Sequence, residues 1–291
     1  YFNQINVVLD RSFLKYCSVT RVKKTNEEGG ALYIVQSDKI RIDHCLISNN
    51  SCEYEAGGIQ IEEGDIFLTN SIIRDNTAYS GSGGIRCILS SPVFSDLTIS
   101  NNSSAIVGGL YYYSNPDSAL IHFKRLNIFN NKGGGIGGLA LQFAPNVMLD
   151  QCNICYNEGD NCGGIGFYDN SYFSDSIPDG KNSIYFNKGG IANELYIYEY
   201  QYQPINIFVD TFSVPIPDNY HVFPNNSFNF IDGIQYGFIN PLDTNLFISV
   251  LGSDENDGLS VEHPLRSFDY ALRLIKEDPS NPNTLWVLPG I

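Results

Sequence analysis

The sequence predicts an all-β fold: a right-handed parallel β-helix solenoid of about seven rungs, followed by a short strand–loop–helix unit. Two phrases that recur in step about every 26 residues carry this prediction, because such a fixed period indicates a repeat architecture. The first phrase is Ile, two residues, then Asn, with its Asn at Asn50, Asn76, Asn102, Asn131, Asn157 and Asn187. The second is Gly-Gly followed by a small or aliphatic residue, starting at Gly29, Gly57, Gly83, Gly108, Gly137, Gly163 and Gly189.

Apolar residues at fixed distances before each Asn define the strands. Those ten and eight residues before it share one strand face, as do those five and three before it. The odd step between these pairs requires a bend, so we expect two short strands that meet at a corner. A third strand follows Gly-Gly, with Ala31, Ile59, Ile85, Leu110, Leu139 and Ile165 predicted to point inward. Each strand would pair with its equivalent on the next rung, and the right-handed sense follows the rule for parallel crossovers.

The six Asn are predicted to form an internal structural ladder. Stacked amides can bond one another along a column, and Asn also tolerates the left-handed backbone of a tight corner. The Gly pair permits a second corner where a Cβ would clash. On this interpretation, replacing Asn102 or Asn131 by Ala costs about 1–3 kcal/mol through unsatisfied backbone groups.

Composition excludes some functions. The formal net charge is −15 over 291 residues, which argues against nucleic-acid binding, because phosphate contacts require Lys and Arg. No run reaches the roughly 18 apolar residues of a membrane span. No signal peptide is visible, no initiating Met is present, and the ends predict a segment of a longer protein.

The cysteine count of seven is odd. Cys17 and Cys45 fall in the same slot on successive rungs, where they either bridge or act as small apolar fillers, and the filler interpretation is favoured. Cys152 and Cys155 form a C-x-x-C whose thiols diverge, which argues against a redox or zinc site. Cys155 with Cys162 is the better disulfide candidate.

The chain is predicted to comprise rungs at 1–195, a cap and linker at 196–243, and the start of a second, truncated β-helix at 244–291. In the first rung Val22 occupies the Asn slot, and a polar insertion at 169–181 widens the seventh. The tail contains a strand at 246–250, an acidic loop, a helix at about 267–277 with an apolar stripe, and a strand at 285–288.

The two phrases together resemble the polymorphic outer membrane protein repeats of chlamydiae, whose signature pairs Gly-Gly-Ala-aliphatic with Phe-x-x-Asn. Gly29-Gly30-Ala31-Leu32 matches the first phrase, whereas every copy of the second has Ile in place of Phe. The resemblance covers about residues 12–195. It implies a pectin-lyase-like β-helix that is secreted or displayed at a cell surface, often as an adhesin-like stalk. The tail resembles the opening of many right-handed β-helix domains.

Many β-helices are polysaccharide lyases or hydrolases, so a catalytic role is the alternative to a scaffold role. Hydrolysis requires two carboxylates about 5–9.5 Å apart. Among the outward positions after Gly-Gly only Glu62 is a carboxylate, so no catalytic residue is predicted and the favoured function is a non-catalytic, adhesin-like scaffold. The alternative is a carbohydrate-binding or polysaccharide-degrading protein, with its best acidic patch at Glu27, Glu28, Glu53, Glu55, Glu62, Glu63 and Asp65.

Tyr111, Tyr113 and Tyr168 are the candidate ligand-facing aromatics. They occupy outward positions at sheet spacing, where aromatic rings stack on sugars or anchor a protein partner. The alternative is lateral packing against a cap or loop. The expected partner is therefore a protein or a glycan at a cell surface, and the expected location is extracellular.

The acidic loop of the tail raises the question of calcium. Asp254, Asn256 and Asp257 supply oxygen ligands, but the loop lacks the spacing of an EF-hand. A simple turn-forming loop is the favoured interpretation, calcium binding is the alternative, and no other cofactor is predicted.

Overall fold

The computed structural model describes residues 5–7, 13–24, 30–37, 40–114, 119–174, 176, 178–198, 204–213, 221–231, 233–237, 242–253, 256–266, 268–276 and 280–289. The chain divides into two compact units. The first comprises Tyr1–Phe212 with Ile216–Gln235, and the second comprises Ser213–Pro215 with Tyr236–Ile291.

The first unit is a parallel β-solenoid, as predicted, and its rungs stack into four parallel sheets. Sheet 1 contains Ile5–Val7, Leu32–Val35, Ile59–Glu62, Ile85–Ile88, Leu110–Tyr113, Leu139–Gln142, Ile165–Tyr168, Leu195–Ile197 and Val222–Phe223. Sheet 2 contains Phe13–Lys15, Ile40–Asp43, Ile66–Thr69, Val93–Ser95, Ile121–Lys124 and Val147–Asp150. Sheet 3 includes Ser18–Thr20, Leu46–Ser48, Ile72–Arg74, Thr98–Ser100, Asn127–Phe129, Asn153–Cys155, Asn182–Tyr185 and Val209–Phe212.

Sheet 4 was not predicted. Its strands are two residues long and directly follow each Asn slot: Lys23–Lys24, Ser51–Cys52, Thr77–Ala78, Ser103–Ser104, Lys132–Gly133, Glu158–Gly159 and Lys188–Gly189. A two-residue strand is too short to show an alternating apolar pattern, so backbone pairing alone reveals it. A rung therefore has four strands where three were expected.

The interior consists of columns of like residues, as the spacing predicted. Ile47, Ile73, Ile99, Ile128 and Ile154 pair in register along sheet 3 and are all buried. In sheet 2, Phe94 stacks on Phe123 with ring centroids 5.5 Å apart. Because each rung buries its apolar face mainly on its neighbours, the stability of the unit depends on this stacking.

The corners are made by single residues with left-handed backbone. One such residue lies directly before each ladder Asn, at Asn49, Asp75, Asn101, Asn130, Tyr156 and Phe186. The prediction that the ladder Asn itself is left-handed was therefore wrong, since its predecessor makes the turn. At most of these positions the residue is Asn or Asp, which tolerate this backbone region better than other side chains do.

Two of the glycine phrases lie in a different register from the one predicted. Leu32 pairs with Ile59, so Gly30 and Ala31 occupy the glycine slots of the first rung. Leu32 and Ile34 are consequently buried, whereas Tyr33 joins the outer face of sheet 1. In the last copy Gly189 pairs with Gly159 in sheet 4. There the glycine slots are filled by Asn193 and Glu194, directly before Leu195.

The sheets continue beyond residue 195, where the rungs were predicted to end. Val222–Phe223 pairs with Leu195–Ile197, and Val209–Phe212 pairs with Asn182–Tyr185. A further parallel pair joins Ile205–Ile207 to Phe228–Phe230, next to a 3-10 helix at Asn225–Ser227. Backbone pairing does not require the repeated side chains, so the loss of the sequence period at residue 196 does not end the ladder.

The polar insertion at 169–181 is fixed to the outer face of sheet 2. Gly180 donates its N–H to the buried Asp150 carboxylate at 2.7 Å, and Lys124 contacts Asp150 at 2.9 Å and Asp179 at 3.2 Å. Burial raises the pKa of Asp150, but Lys124 and the Gly180 N–H outweigh it, so the net pKa is lowered. The carboxylate therefore stays ionised and holds the loop at neutral pH.

The cysteines are all free thiols. The predicted Cys155–Cys162 disulfide was wrong, because the two sulfurs have other partners: Cys155 accepts from the Asn153 amide and Cys162 donates to the Ile165 carbonyl, both at 3.5 Å. Cys155 pairs beside Phe129 in sheet 3, whereas Cys162 lies in the column of Ile136 and Ala192 that precedes sheet 1.

The second unit contains strands Tyr236–Gly237, Leu246–Ile248 and Leu285–Val287 and the helix Phe268–Leu274. The last two strands are parallel and pair directly. Its small core consists of Leu246, Ile248, Leu265, Ala271 and Leu274. Phe268 and Leu272, on the predicted stripe, are 53% and 50% exposed. The helix thus presents an apolar face that this unit does not cover.

Deleting residues 246–291 is expected to leave the melting temperature of the rung unit within about 2 °C of the intact chain. The reason is that the second unit has its own core and buries few apolar side chains. Differential scanning calorimetry of both chains measures this. Hydrogen exchange should also be fast in 246–289 and slow in 40–168. If the deletion unfolds the rungs, the tail is instead a cap of the first solenoid.

Candidate functional site

The six Asn form a continuous buried hydrogen-bonded column. The side-chain oxygen of Asn102 accepts from the backbone N–H and the side-chain amide of Asn76, both at 3.0 Å. The Asn102 amide in turn donates to Asn131 and to the carbonyl of Ile73, again at 3.0 Å. The same pattern links all six residues, Asn50, Asn76, Asn102, Asn131, Asn157 and Asn187. None is more than 4% exposed, so the column is closed to ligands.

The hydrogen bonds between the Asn residues of this column all run in one direction along the solenoid axis, and each end of the column is completed by a different group. At the first end the backbone N–H of Val22 donates to Asn50 at 3.0 Å, so the rung without an Asn still enters the ladder. At the last end both donors of Asn187 meet the fully buried carboxylate of Glu194. Every member donates towards the next rung, so the final partner needs only to accept, which a carboxylate does.

Glu194 was missed by the sequence reasoning, although a signal existed. The last two Asn of the ladder are separated by 30 residues, as are Gly163 and Asn193. The phrase at Gly189, however, lies only 26 residues after Gly163. That mismatch places Asn193 and Glu194 in the glycine slots.

The outer face of sheet 1, hereafter the outer face, carries two rows of side chains along the solenoid axis. The first row is Tyr33, Gln60, Arg86, Tyr111, Ala140, Gly166 and Tyr196. The second row is Val35, Glu62, Ile88, Tyr113, Gln142 and Tyr168. Because rungs stack in register, these rows bring together residues that are about 26 positions apart in sequence.

The three predicted aromatics lie on this outer face but are only half exposed. Tyr111 and Tyr168 both pack on an apolar cluster at the edge of the sheet, which includes Ile136, Ala140 and Tyr196. The Tyr111 hydroxyl donates to Gln142, and burial raises the pKa of Tyr111 to about 12. Lateral packing therefore covers part of the surface of these two rings, as the alternative interpretation expected.

Tyr113 and Tyr168 each meet a second aromatic ring. Tyr113 contacts Phe143 edge-on, with centroids 5.4 Å apart. Tyr168 lies 5.5 Å from Tyr198, whose side chain is 60% exposed. The Tyr168–Tyr198 pair thus places a solvent-facing ring at one end of the outer face, and Tyr198 was not among the predicted residues.

A charged cluster around Arg86 occupies the other part of the outer face. Arg86 forms an ion pair with Glu55 and lies 3.8 Å from a Glu62 oxygen. The hydroxyl of Tyr33 and the amide of Gln60 donate to Glu62 at 3.0 and 2.7 Å. The guanidinium of Arg86 also lies 5.7 Å from the centre of the Tyr111 ring, within cation–π range.

This cluster was missed because Glu55 does not belong to a strand. It precedes the glycine slots of its rung and has a left-handed backbone at φ 43°, which turns the chain at this corner. Of the acidic patch considered above, Glu55 and Glu62 thus meet at one guanidinium, and Glu27 and Glu28 lie outside the described residues. Both carboxylates therefore share one cation, Arg86.

The calcium candidates make contacts within their own loop. The Asn256 amide donates to the carbonyl of Pro264 at 2.8 Å, and Asp257 accepts from the N–H of Leu259 at 2.9 Å. Asp254 lies outside the described residues. Among the residues that are described, no three His, Cys, Asp or Glu side chains form a group able to hold a metal ion.

Comparison with known proteins supports the fold. Residues 10–137 match the family model described as a right handed beta helix region. Searches of curated proteins and of solved structures found no match. Within the described part of the chain, none of the helices has the length and apolar character needed to cross a bilayer.

Proposed function

We propose that this chain is a non-catalytic β-helix repeat protein, secreted or displayed at a cell surface, that acts as an adhesin-like scaffold. The proposal rests on one observation: the polar side chains of the Asn column and around Arg86 already bond other groups of the protein. The Asn column is closed, and the Glu55 and Glu62 carboxylates are both ion-paired with Arg86. A general acid or base requires a carboxylate free to exchange protons with substrate.

The resemblance of the two phrases to chlamydial surface-protein repeats supports the location and the scaffold role. A rung stack is also a suitable extended stalk, because each rung adds length while contacting only its neighbours. Labelling of the full-length protein on intact cells with a membrane-impermeant biotin reagent tests this location. Exclusive labelling after permeabilisation would contradict it.

The purified chain is expected to turn over no polysaccharide. Reducing-end and unsaturated-product assays on acidic and neutral glycans measure this, with a known lyase as the positive control. Turnover that disappears in Glu62→Gln or Glu55→Gln, while the variants keep the wild-type circular dichroism spectrum, would establish an enzyme instead.

A carbohydrate-binding role is the second candidate, and the Tyr168–Tyr198 pair favours it. A half-buried ring beside a solvent-facing ring provides an aromatic platform of the kind on which sugar rings stack. The neighbouring Gln142 and Asp169 side chains, which hydrogen-bond each other, add polar groups beside it. A glycan ligand would thus lie along the outer face.

Binding to a glycan array is expected to fall about 5-fold or more in Tyr198→Ala, because the loss of one stacked ring removes on the order of 1 kcal/mol or more. Tyr79→Ala is the matched control, since Tyr79 is 77% exposed in sheet 4's flanking turn and does not lie on the outer face. Equal binding by both variants would exclude the platform. Absence of binding by the wild type would favour a protein partner.

A further inference from the structure

Cys17 and Cys45 occupy the same position on adjacent rungs. Each directly precedes a strand of sheet 3, and the first residues of these strands, Ser18 and Leu46, pair with each other. The N–H of Leu46 also donates to the carbonyl of Cys17 at 2.9 Å. The two sulfur atoms lie 2.7 Å apart.

No other cysteine has a cysteine as its neighbour on an adjacent rung. Their neighbours in the same columns are Lys24 and Ala78 for Cys52, Ile61 and Tyr112 for Cys87, Leu126 and Asn182 for Cys152, Phe129 and Tyr185 for Cys155, and Ile136 and Ala192 for Cys162. All seven cysteines lie within the described residues. Cys17 and Cys45 are therefore a unique pair in this chain.

The backbone geometry of this pair suits a disulfide. Paired residues of neighbouring parallel strands have Cα atoms about 4.8 Å apart, and disulfides span Cα separations of about 4.4–6.8 Å. A bond between these sulfurs thus requires no movement of the rungs. Cys17 is partly exposed, whereas Cys45 is buried, so an oxidant reaches Cys17 first.

We propose that Cys17 and Cys45 form an inter-rung disulfide when the chain folds in the presence of a low-molecular-weight disulfide such as oxidised glutathione. The Cys17 thiolate attacks the glutathione disulfide, forms a mixed disulfide and releases one glutathione thiolate. The Cys45 thiolate then attacks the Cys17 sulfur and releases the second. The two protein thiols lose their protons and two electrons, and two molecules of reduced glutathione are formed.

The disulfide would strengthen the end of the Asn column at which the Asn side chain is missing. The first rung has Val22 in the Asn slot, so it lacks the side-chain amide that each of the next six rungs contributes. A covalent link between the first and second rungs restrains this end of the solenoid in the same place. Burial raises the pKa of the Cys17 thiol to about 12, so little thiolate is present once the rungs have packed. The bridge is therefore expected to form during folding more readily than afterwards.

The test refolds the full chain with and without a glutathione redox buffer, then denatures it and alkylates the remaining thiols. The oxidised protein should carry two fewer alkyl groups than the seven of the reduced chain. A non-reducing tryptic digest should join peptide 16–21 to peptide 42–74. Because the second peptide also contains Cys52, the link should persist in Cys52→Ser and vanish in Cys45→Ser and Cys17→Ser.

Hydrogen exchange provides a readout on the folded protein. The amides of 18–20 should exchange at least several-fold more slowly in the oxidised wild type than in the reduced wild type, and redox state should not change them in Cys17→Ser. Seven alkylated thiols after oxidative refolding would overturn the proposal. So would a stable glutathione adduct on Cys17, or a link that also appears in Cys45→Ser.

Discussion

Replacing Asn102 by Ala is expected to lower the free energy of unfolding of the rung unit by about 3 kcal/mol or more. The substitution removes four hydrogen bonds at once, to the backbone N–H and side-chain amide of Asn76, the carbonyl of Ile73 and the oxygen of Asn131. All of these groups are buried, and each unsatisfied one costs about 1–3 kcal/mol. Urea denaturation followed by circular dichroism measures the loss.

Asn101→Gly is the matched control for this prediction. Asn101 is the neighbouring amide, but it is exposed and has a left-handed backbone that Gly adopts readily. Its replacement should change the stability by less than about 1 kcal/mol. Asn102→Asp should destabilise as Ala does at neutral pH, because a carboxylate there faces the acceptor oxygen of Asn131. An Asn102→Ala protein as stable as the control would disprove the structural role of the column.

Replacing Gly84 by Ala is expected to destabilise the rung unit by about 3 kcal/mol or more, and to reduce the yield of folded protein. A Cβ at this position would lie 2.5 Å from the carbonyl oxygen of Gly109 and 3.2 Å from the Asn102 amide. The nearest obstacle is backbone of the next rung, which cannot rotate away. The rungs must therefore separate, and the ladder bonds would lengthen with them.

Gly135→Ala is the matched control for this second prediction. The nearest atom to its added Cβ is the Ile106 oxygen at 3.0 Å, and the next lies 3.9 Å away. A small local shift accommodates the methyl group, so we expect a change of less than about 1 kcal/mol. Thermal melting of both variants gives the comparison, and equal melting temperatures would show that the glycine slots are not sterically required.

The sequence was sufficient to predict the solenoid and its interior. Residues that recur at a fixed spacing occupy the same position on successive rungs, so the Ile and Asn columns follow from the spacing alone. The strand at 246–248 and the helix at 268–274 were also located within a few residues, because their apolar patterns are local. Sheet 4 was not located, since two residues carry no pattern.

Two positions predicted from the repeat period were wrong. The glycine phrases at Gly29 and Gly189 match the sequence pattern, but in the structure the corresponding positions are occupied by Gly30 and Asn193. Turns between strands can gain or lose residues without disturbing the stacked strands, so the register of a rung is set by its backbone pairing. The sheets continue to Val222–Phe223 for the same reason, because backbone pairing and not the side-chain period sets the register.

Spacing alone predicted the interior columns, because inward residues at one position on successive rungs pack on one another and are chemically similar. The contacts between unlike residues became known only from the folded chain. Glu55 reaches Arg86 from a corner, and Glu194 ends the Asn column from a glycine slot. Neither contact repeats, and a contact that occurs once leaves no period in the sequence. Such contacts depend on the path of the backbone through its corners, which the side-chain pattern does not specify.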